Sequence, residues 1–86
     1  MIREAEFRWD PNKNEKLKED GRPSFDELLP LVTNRQVTRY PHKSNAHQFL
    51  IIVTFNYYPV VIVCEDRGYI WLVTAYPCRD FKLRLI

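Results

Sequence analysis

The sequence is poor in glycine and cysteine. Only two of its 86 residues are glycines, Gly21 and Gly68, and the loops that cradle phosphates need several glycines close together. This count excludes a P-loop and a dinucleotide-binding loop. The two cysteines, Cys64 and Cys78, lack metal-ligand spacing, so we predict that both stay reduced and that the protein needs no metal and no cofactor. The sequence shows no Ser-His-Asp nucleophile pattern either.

Long hydrophobic runs are also missing. No apolar stretch approaches the roughly 18 residues that cross a bilayer, and the first residues, MIREAE, lack the hydrophobic block of a signal peptide. We therefore expect a cytoplasmic protein without a membrane partner. The formal net charge is only +2, too small by itself to indicate a nucleic-acid partner. Hydrophobic residues make up 45% of the chain, which indicates one globular domain over residues 1–86.

The segment 48–79 is the part around which the chain is organised. It contains three runs of β-branched and aromatic residues separated by short polar breaks, which is typical of an antiparallel meander. Asn56 and Gly68, in the two breaks, accept the positive φ that turns require. The first two runs are apolar at nearly every position, so the sheet is either covered on both faces or left adhesive on one. The three runs are 49–55, 60–64 and 69–75.

Upstream of the meander, the pattern predicts a strand and a surface helix. Residues 5–9 alternate polar and aromatic side chains, so we expect a strand with Phe7 and Trp9 turned inward. Asp10 is a favoured N-cap before the proline at residue 11, and Gly21 is a favoured residue for ending the helix.

A second helix begins at Ser24, which forms a capping box with Glu27. Its apolar residues, Phe25, Leu28, Leu29 and Val32, recur at helical spacing, so this helix should pack on the sheet. Pro30 removes a backbone donor inside this pattern, so we expect a kink or an end near Leu29.

These elements, with a short strand expected at residues 37–40, predict an α+β fold. An N-terminal strand and two short helices would pack on the antiparallel β-meander, followed by a short basic C-terminal tail. Basic residues lie on both sides of the meander and indicate either an RNA-binding face for phosphates or solvated edges. They are Arg35, Arg39 and Lys43 before it and Arg79, Lys82 and Arg84 after it.

Two stretches of the chain resemble the BrnT-type toxins. FRWDPNKN at residues 7–14, followed by SFDE at 24–27, is similar to the opening of that family, and LVTAYPCR at 72–79 is similar to the Thr-x-x-Pro-Ser-Arg close of a BrnT-like subgroup. The resemblance implies a compact RelE-like fold and the toxin of a bacterial type II toxin–antitoxin system. Such a toxin cleaves RNA, in some cases ribosome-associated mRNA, and is neutralised by a small DNA-binding antitoxin.

The chain departs from the family pattern at two places. Many members carry Lys-His-Gly at the end of the first helix, where this chain has Glu19, Asp20 and Gly21. Many have an arginine where the last strand ends, and here that position holds Tyr76. These departures favour an alternative in which the chain is a non-catalytic module that keeps the fold and holds a protein partner through its sheet.

Metal-independent RNA cleavage needs a base for the 2′-hydroxyl, an acid for the leaving 5′-oxygen and cations for the phosphate. Arg67 and Arg79 match arginines of the family pattern, so the resemblance implies that their guanidinium groups supply the cations. Alternatively, Arg67 forms an ion pair with Glu65 or Asp66 beside it.

His42 and Tyr76 are the candidates for proton transfer. A histidine titrates near neutral pH and is the natural proton shuttle, although His42 and His47 also fit two solvent-exposed residues of a polar loop. Tyr76 is suited to donate a proton or to stack on a base. It fits equally a wedge over the sheet edge beside Pro77.

Three tyrosines, Tyr57, Tyr58 and Tyr69, are candidates for partner binding. Tyrosines at strand ends are typical of interfaces because they are apolar with a polar tip. Core packing is the competing interpretation. Two short helices can cover only one face of the sheet, so we expect the other face, or an edge strand, to hold the antitoxin or a second copy of the chain.

Overall fold

The computed structural model describes residues 6–33 and 39–78. Within them the chain forms five strands and two helices, and this confirms the α+β class. In chain order they are β1 (Phe7–Trp9), α1 (Pro11–Glu19), α2 (Phe25–Thr33), β2 (Arg39–Pro41), β3 (Gln48–Phe55), β4 (Tyr58–Asp66) and β5 (Ile70–Pro77).

One five-stranded sheet has the order β1-β5-β4-β3-β2. The antiparallel meander β3-β4-β5 is present as predicted, and β2 adds to β3 antiparallel. However, β1 pairs with β5 in parallel, so the sheet is mixed. The chain crosses over through both helices before the meander begins, which allows its first strand to lie parallel to its last.

The turn between β3 and β4 is tighter than the sequence pattern suggested. Asn56 and Tyr57 both have positive φ, 51° and 67°, so they form a two-residue turn of the type that suits hairpins. Tyr58 and Pro59 already belong to β4, where the Pro59 carbonyl accepts a hydrogen bond from the Cys78 N–H at 3.0 Å. Gly68, in the second turn, has φ 83° as expected.

The start of α1 follows the capping prediction, but its packing was underestimated. The Asp10 carboxylate accepts from the Asn12 N–H at 2.9 Å, which satisfies one of the donors that a helix start leaves unpaired. Leu17 is fully buried, and so is most of Asn14. The Asn14 side-chain oxygen accepts from the Phe25 N–H at 2.8 Å, so α1 is tied to the first residue of α2.

The expectation that the second helix ends near Leu29 is wrong, because α2 continues to Thr33. Pro30 removes the hydrogen bond to the Asp26 carbonyl, but both residues are exposed, so water can replace it. The apolar stripe extends past the proline to Val32, which is 1% exposed. Burial of that stripe keeps the helix continuous.

A polar cluster stabilises the start of α2. The Ser24 backbone N–H donates to Glu27 at 3.2 Å, and its hydroxyl, which has a single proton, lies 2.7 Å from a Glu27 oxygen and 2.5 Å from an Asp26 oxygen. The hydrogen bond from the Ser24 hydroxyl, helped by Lys18 at 3.2 Å, lowers the pKa of Asp26 to about 2.

The two faces of the sheet differ. The helix face packs against α1 and α2, and its core includes Phe7, Ile51, Val60, Ile62, Cys64, Leu72 and Ala75. The second face, pointing away from both helices, carries Leu50, Ile52, Val61, Val63, Trp71 and Tyr76. On that face Val61 and Val63 of the central strand are buried, whereas Leu50, Ile52 and Trp71 are half-buried and Tyr76 is 37% exposed.

A bulge in β5 sets which of its residues reach each face. Val63 pairs with Thr74, but the next residue, Cys64, pairs with Leu72, which leaves Val73 as the extra residue. An extra residue shifts the alternation of a strand by one position. Consequently Trp71 and Tyr76 share the second face although they are five positions apart.

Arg22 reaches β5 beyond the end of its pairing with β1. Its guanidinium donates to the Ala75 carbonyl at 2.6 and 3.1 Å and to the Thr74 hydroxyl at 3.3 Å. These bonds satisfy a carbonyl at the sheet edge, which is otherwise a template for strand addition.

Candidate functional site

A cavity of about 450 Å³ lies on the second face, beside β2. Two of the residues predicted to transfer protons, His42 and Tyr76, line it together, with Lys43 from the predicted basic segment. The floor is apolar, and the groups able to hold an anion or move a proton come from the residues after β2 and from β5. The complete lining is Tyr40, Pro41, His42, Lys43, Leu50, Val61, Tyr76 and Cys78.

The orientation of the His42 ring follows from a local hydrogen bond. Its Nδ1 accepts from the Ser44 backbone N–H at 3.1 Å, so in neutral His42 the proton resides on Nε2. In this arrangement Nε2–H donates a hydrogen bond. For Nε2 to accept a proton, the tautomer must change and the bond to Ser44 must break.

Tyr76 enters the cavity from β5, where it lies opposite Val61 of β4. Its exposed phenol can donate a hydrogen bond or stack on a flat ring. Cys78, at the end of the described segment, completes that wall, and Arg79 is the next residue in the sequence. Arg79 lies outside the described residues, as do the predicted RNA-binding residues Arg35, Lys82 and Arg84.

Arg67 does not line this cavity. It donates to Glu65 from Nε at 2.9 Å and from a terminal nitrogen at 2.8 Å, so the ion-pair alternative of the sequence analysis is what the structure shows. The Gln48 amide donates to the other Glu65 oxygen at 3.0 Å. These contacts, with the bond from Gln48 first, lower the pKa of Glu65, and the bond to Glu65 raises the pKa of Arg67.

Four residues beside the β4–β5 turn form what we call the cation–aromatic row: Arg8, Tyr69, Trp71 and Arg67. The Arg8 guanidinium lies 4.5 Å above the centre of the Tyr69 ring, and that of Arg67 lies 4.8 Å above Trp71. The two rings meet edge to face at 6.5 Å. The sequence analysis gave Arg8 no role, although Arg8 lies between two inward-facing aromatic residues, Phe7 and Trp9, and so must point to the second face.

Arg39 lies on the other side of the sheet from the cavity. It pairs with Ile51 in register and stacks on Phe49 at 4.6 Å, on the helix face. It therefore does not join Lys43 in one basic surface. The nearby Cys64 thiol is fully buried, which raises its pKa to about 12 and makes it unreactive.

The three tyrosines predicted to bind a partner do not form one surface. Tyr57 is 98% exposed at the tip of the β3–β4 turn. Tyr58 follows it, half-buried and opposite Phe55. Tyr69 lies at the other end of β4, under Arg8. Only Tyr57 and Tyr58 are neighbours, and the assignment of the three tyrosines to partner binding stays a prediction.

Within residues 6–33 and 39–78, no three His, Cys, Asp or Glu side chains are grouped so that they could hold a metal ion. Both cysteines are free. In the same part of the chain, no helix has the length and apolar character needed to span a membrane. Comparison with known protein families, with characterised proteins and with solved structures finds no match to this chain.

Proposed function

We propose that this chain is a metal-independent endoribonuclease with a BrnT/RelE-like fold, acting as the toxin of a type II toxin–antitoxin system. The observation that carries the proposal is the cavity on the second face. His42 and Lys43, which follow β2, and Tyr76 of β5, more than 30 positions later in the chain, line the same space of about 450 Å³. The similarity of residues 7–14 and 72–79 to BrnT-type toxins supports the choice of reaction.

The reaction is an attack of the ribose 2′-oxygen on the adjacent phosphorus. The bond from phosphorus to the 5′-oxygen breaks, one proton leaves the 2′-hydroxyl and one is delivered to the 5′-oxygen. The products are a 2′,3′-cyclic phosphate and a free 5′-hydroxyl. Lys43 stabilises the phosphate charge, and the Tyr76 phenol donates to the leaving oxygen. His42 accepts the 2′-proton at Nε2, which requires substrate binding to release Nδ1 from Ser44.

The direct test is cleavage of single-stranded RNA by the purified protein in the presence of chelator. We expect His42→Ala and Tyr76→Phe each to lower the rate by roughly 10²-fold or more, as for other proton-transferring groups. His47→Ala is the matched control, since this second histidine is exposed and does not line the cavity. If the His42 and His47 variants cleave RNA at equal rates, the cavity is not the catalytic site. If chelator abolishes cleavage, the reaction is not metal-independent.

The toxin assignment has a separate test in cells. Induced expression should arrest growth, and co-expression of the small protein encoded by the adjacent gene should relieve the arrest. Sedimentation at micromolar concentration should then show a complex with that antitoxin. A homodimer of the chain is the alternative assembly. A monomer that ignores the adjacent gene product contradicts the antitoxin proposal, whatever the RNA assays give.

A non-catalytic binding module is the second candidate, and the state of Arg67 favours it. This arginine matches the family pattern, yet its guanidinium is engaged by Glu65 and Trp71 and it does not line the cavity. A module of this kind would bind the adjacent gene product but leave RNA intact. The RNA assay separates the two candidates, because such a module shows no cleavage even before any substitution, whereas a ribonuclease of the family pattern is slowed by Arg67→Ala and by Arg79→Ala.

A further inference from the structure

The cation–aromatic row has a geometry that core packing does not require. Tyr69 and Trp71 occupy alternate positions of the chain, so both rings point to the second face. In register, Trp71 lies between Arg8 of β1 and Glu65 of β4. Each ring supports one guanidinium, and Arg8 and Arg67 are both exposed. The rings are half-buried, so the row is a shallow, fixed platform.

The electrostatics of the row are net positive. Arg67 is offset by Glu65, whose carboxylate is also held by Gln48. Arg8, by contrast, forms no ion pair with a carboxylate in the described segments. A guanidinium stacked on a ring keeps its outer face for another flat group and its edge N–H groups for phosphate oxygens. Flat rings linked by phosphates are the chemistry of a nucleic acid strand.

We propose that the cation–aromatic row is a binding subsite for single-stranded RNA, in which bases stack on the outer faces of the two guanidinium groups that Tyr69 and Trp71 support. The proposal rests on the proposed function and extends it to the nucleotides that flank the cavity. Trp71 and Tyr76 lie on the same face of the same strand, so one RNA strand can reach both places. Single-stranded RNA is specified because the bases of a duplex are stacked on each other and cannot spread onto a sheet.

The structure supplies a matched control for this subsite. Arg39 makes the same kind of contact, with its guanidinium 4.6 Å above Phe49, but on the helix face. Arg8→Ala and Arg39→Ala therefore remove the same charge and the same type of stacked contact from opposite faces. Any effect of net charge alone is common to both variants, and only the position of the arginine differs.

The experiment measures binding of a labelled oligouridylate to protein carrying His42→Ala, so that cleavage does not interfere. We expect Arg8→Ala and Trp71→Leu each to raise Kd roughly fivefold or more, which is the lower end of the loss for one stacked base. Arg39→Ala should change Kd by less than about twofold. Arg8→Ala should also lower the slope of log Kd against log salt by about 0.7, the value for one phosphate contact on a single strand.

A spectroscopic measurement tests the stacking itself. With Trp9 replaced by Phe, Trp71 is the remaining tryptophan, and its fluorescence should be quenched by the oligouridylate but not by an equal charge of inorganic polyphosphate. Quenching by both would mean a simple anion site and overturn the proposal. So would equal Kd changes for the Arg8 and Arg39 variants, or tighter binding of duplex than of single-stranded RNA.

The outcomes also separate this subsite from the catalytic proposal. One outcome is that the parent protein does not cleave RNA but binds it in a way that depends on Arg8 and Trp71. This outcome would support the subsite and refute the ribonuclease proposal. The opposite outcome is that the parent protein cleaves RNA while Arg8→Ala and Trp71→Leu leave RNA binding unchanged. It would support the ribonuclease proposal and refute the subsite. If no single-stranded RNA binds at all, the subsite proposal is overturned and the row is left as a surface for protein.

Discussion

Replacing Asn14 tests how the two helices are joined. The first four N–H groups of a helix have no partner within it, and in α2 the Phe25 N–H meets the Asn14 side chain at 2.8 Å in a buried position. Asn14→Ala leaves that donor without a partner where water cannot easily reach it. Asn14 is 8% exposed and Phe25 is fully buried, so the full desolvation penalty applies.

The magnitude follows from two opposing effects. An unsatisfied buried donor costs about 1–3 kcal/mol, while alanine is the better helix former by up to about 0.7 kcal/mol. The net loss of unfolding free energy should therefore lie between about 0.3 and 3 kcal/mol. Asn12→Ala is the matched control, because Asn12 is an exposed asparagine in the same helix. It carries the gain in helix propensity without the lost bond, and its effect should stay within about 0.5 kcal/mol.

Urea unfolding followed by circular dichroism gives both free energies. Amide hydrogen exchange gives an independent signal, since the Phe25 amide should exchange faster in the Asn14 variant while amides in the middle of β4 keep their relative protection. If the two asparagine variants are equally stable, or if the Phe25 amide is unaffected, the proposed link between α1 and α2 is incorrect.

Three further predictions concern stability. Leu28 is 1% exposed in the core, so Leu28→Ala should cost about 2–5 kcal/mol in urea unfolding, and a loss below about 0.5 kcal/mol would place it outside the core. Asp26 has a pKa of about 2 in the folded state, below its usual 3.9, so its contribution is present above pH 4 and is lost as pH falls towards 2. Because that side chain is about half exposed, the contribution should stay below about 1 kcal/mol, and Asp26→Asn should lose less stability over this range than the parent does. Tyr57 has φ 67° in a turn that favours glycine at its position, so Tyr57→Gly should raise the thermal midpoint, and a lower midpoint would show that the tyrosine contributes contacts that outweigh its strain.

Local chemistry made much of the fold predictable from the sequence. Asp10 as a cap, the apolar spacing from Phe25 to Val32 and the turn residues Asn56 and Gly68 all act within a few positions, and each has the predicted effect. The parallel pairing of β1 with β5 was not predictable in this way. It joins residues more than 60 positions apart, and a short alternating strand has no local feature that selects its partner.

The candidate site shows the same division. Sequence reasoning selected His42, Lys43 and Tyr76 one by one, from the chemistry of each side chain. It also selected Arg39, whose side chain lies on the other face of the sheet. Residue type predicts what a group can do, whereas strand register decides which groups meet. The register was not available from hydrophobic runs that are apolar on both faces.

The bulge at Val73 shows how much depends on one residue of register. In a regular strand, side chains two apart share a face, so Trp71 would be joined by Val73 and Ala75, and Tyr76 would point into the helix face. The extra residue reverses this alternation after Leu72. Ala75, small enough to be fully buried, then faces the helices, and the larger Tyr76 turns towards the cavity. The same irregularity thus lets the core close over a small residue and brings a phenol to the cavity that His42 also lines, so one feature of β5 affects both the packing and the candidate site.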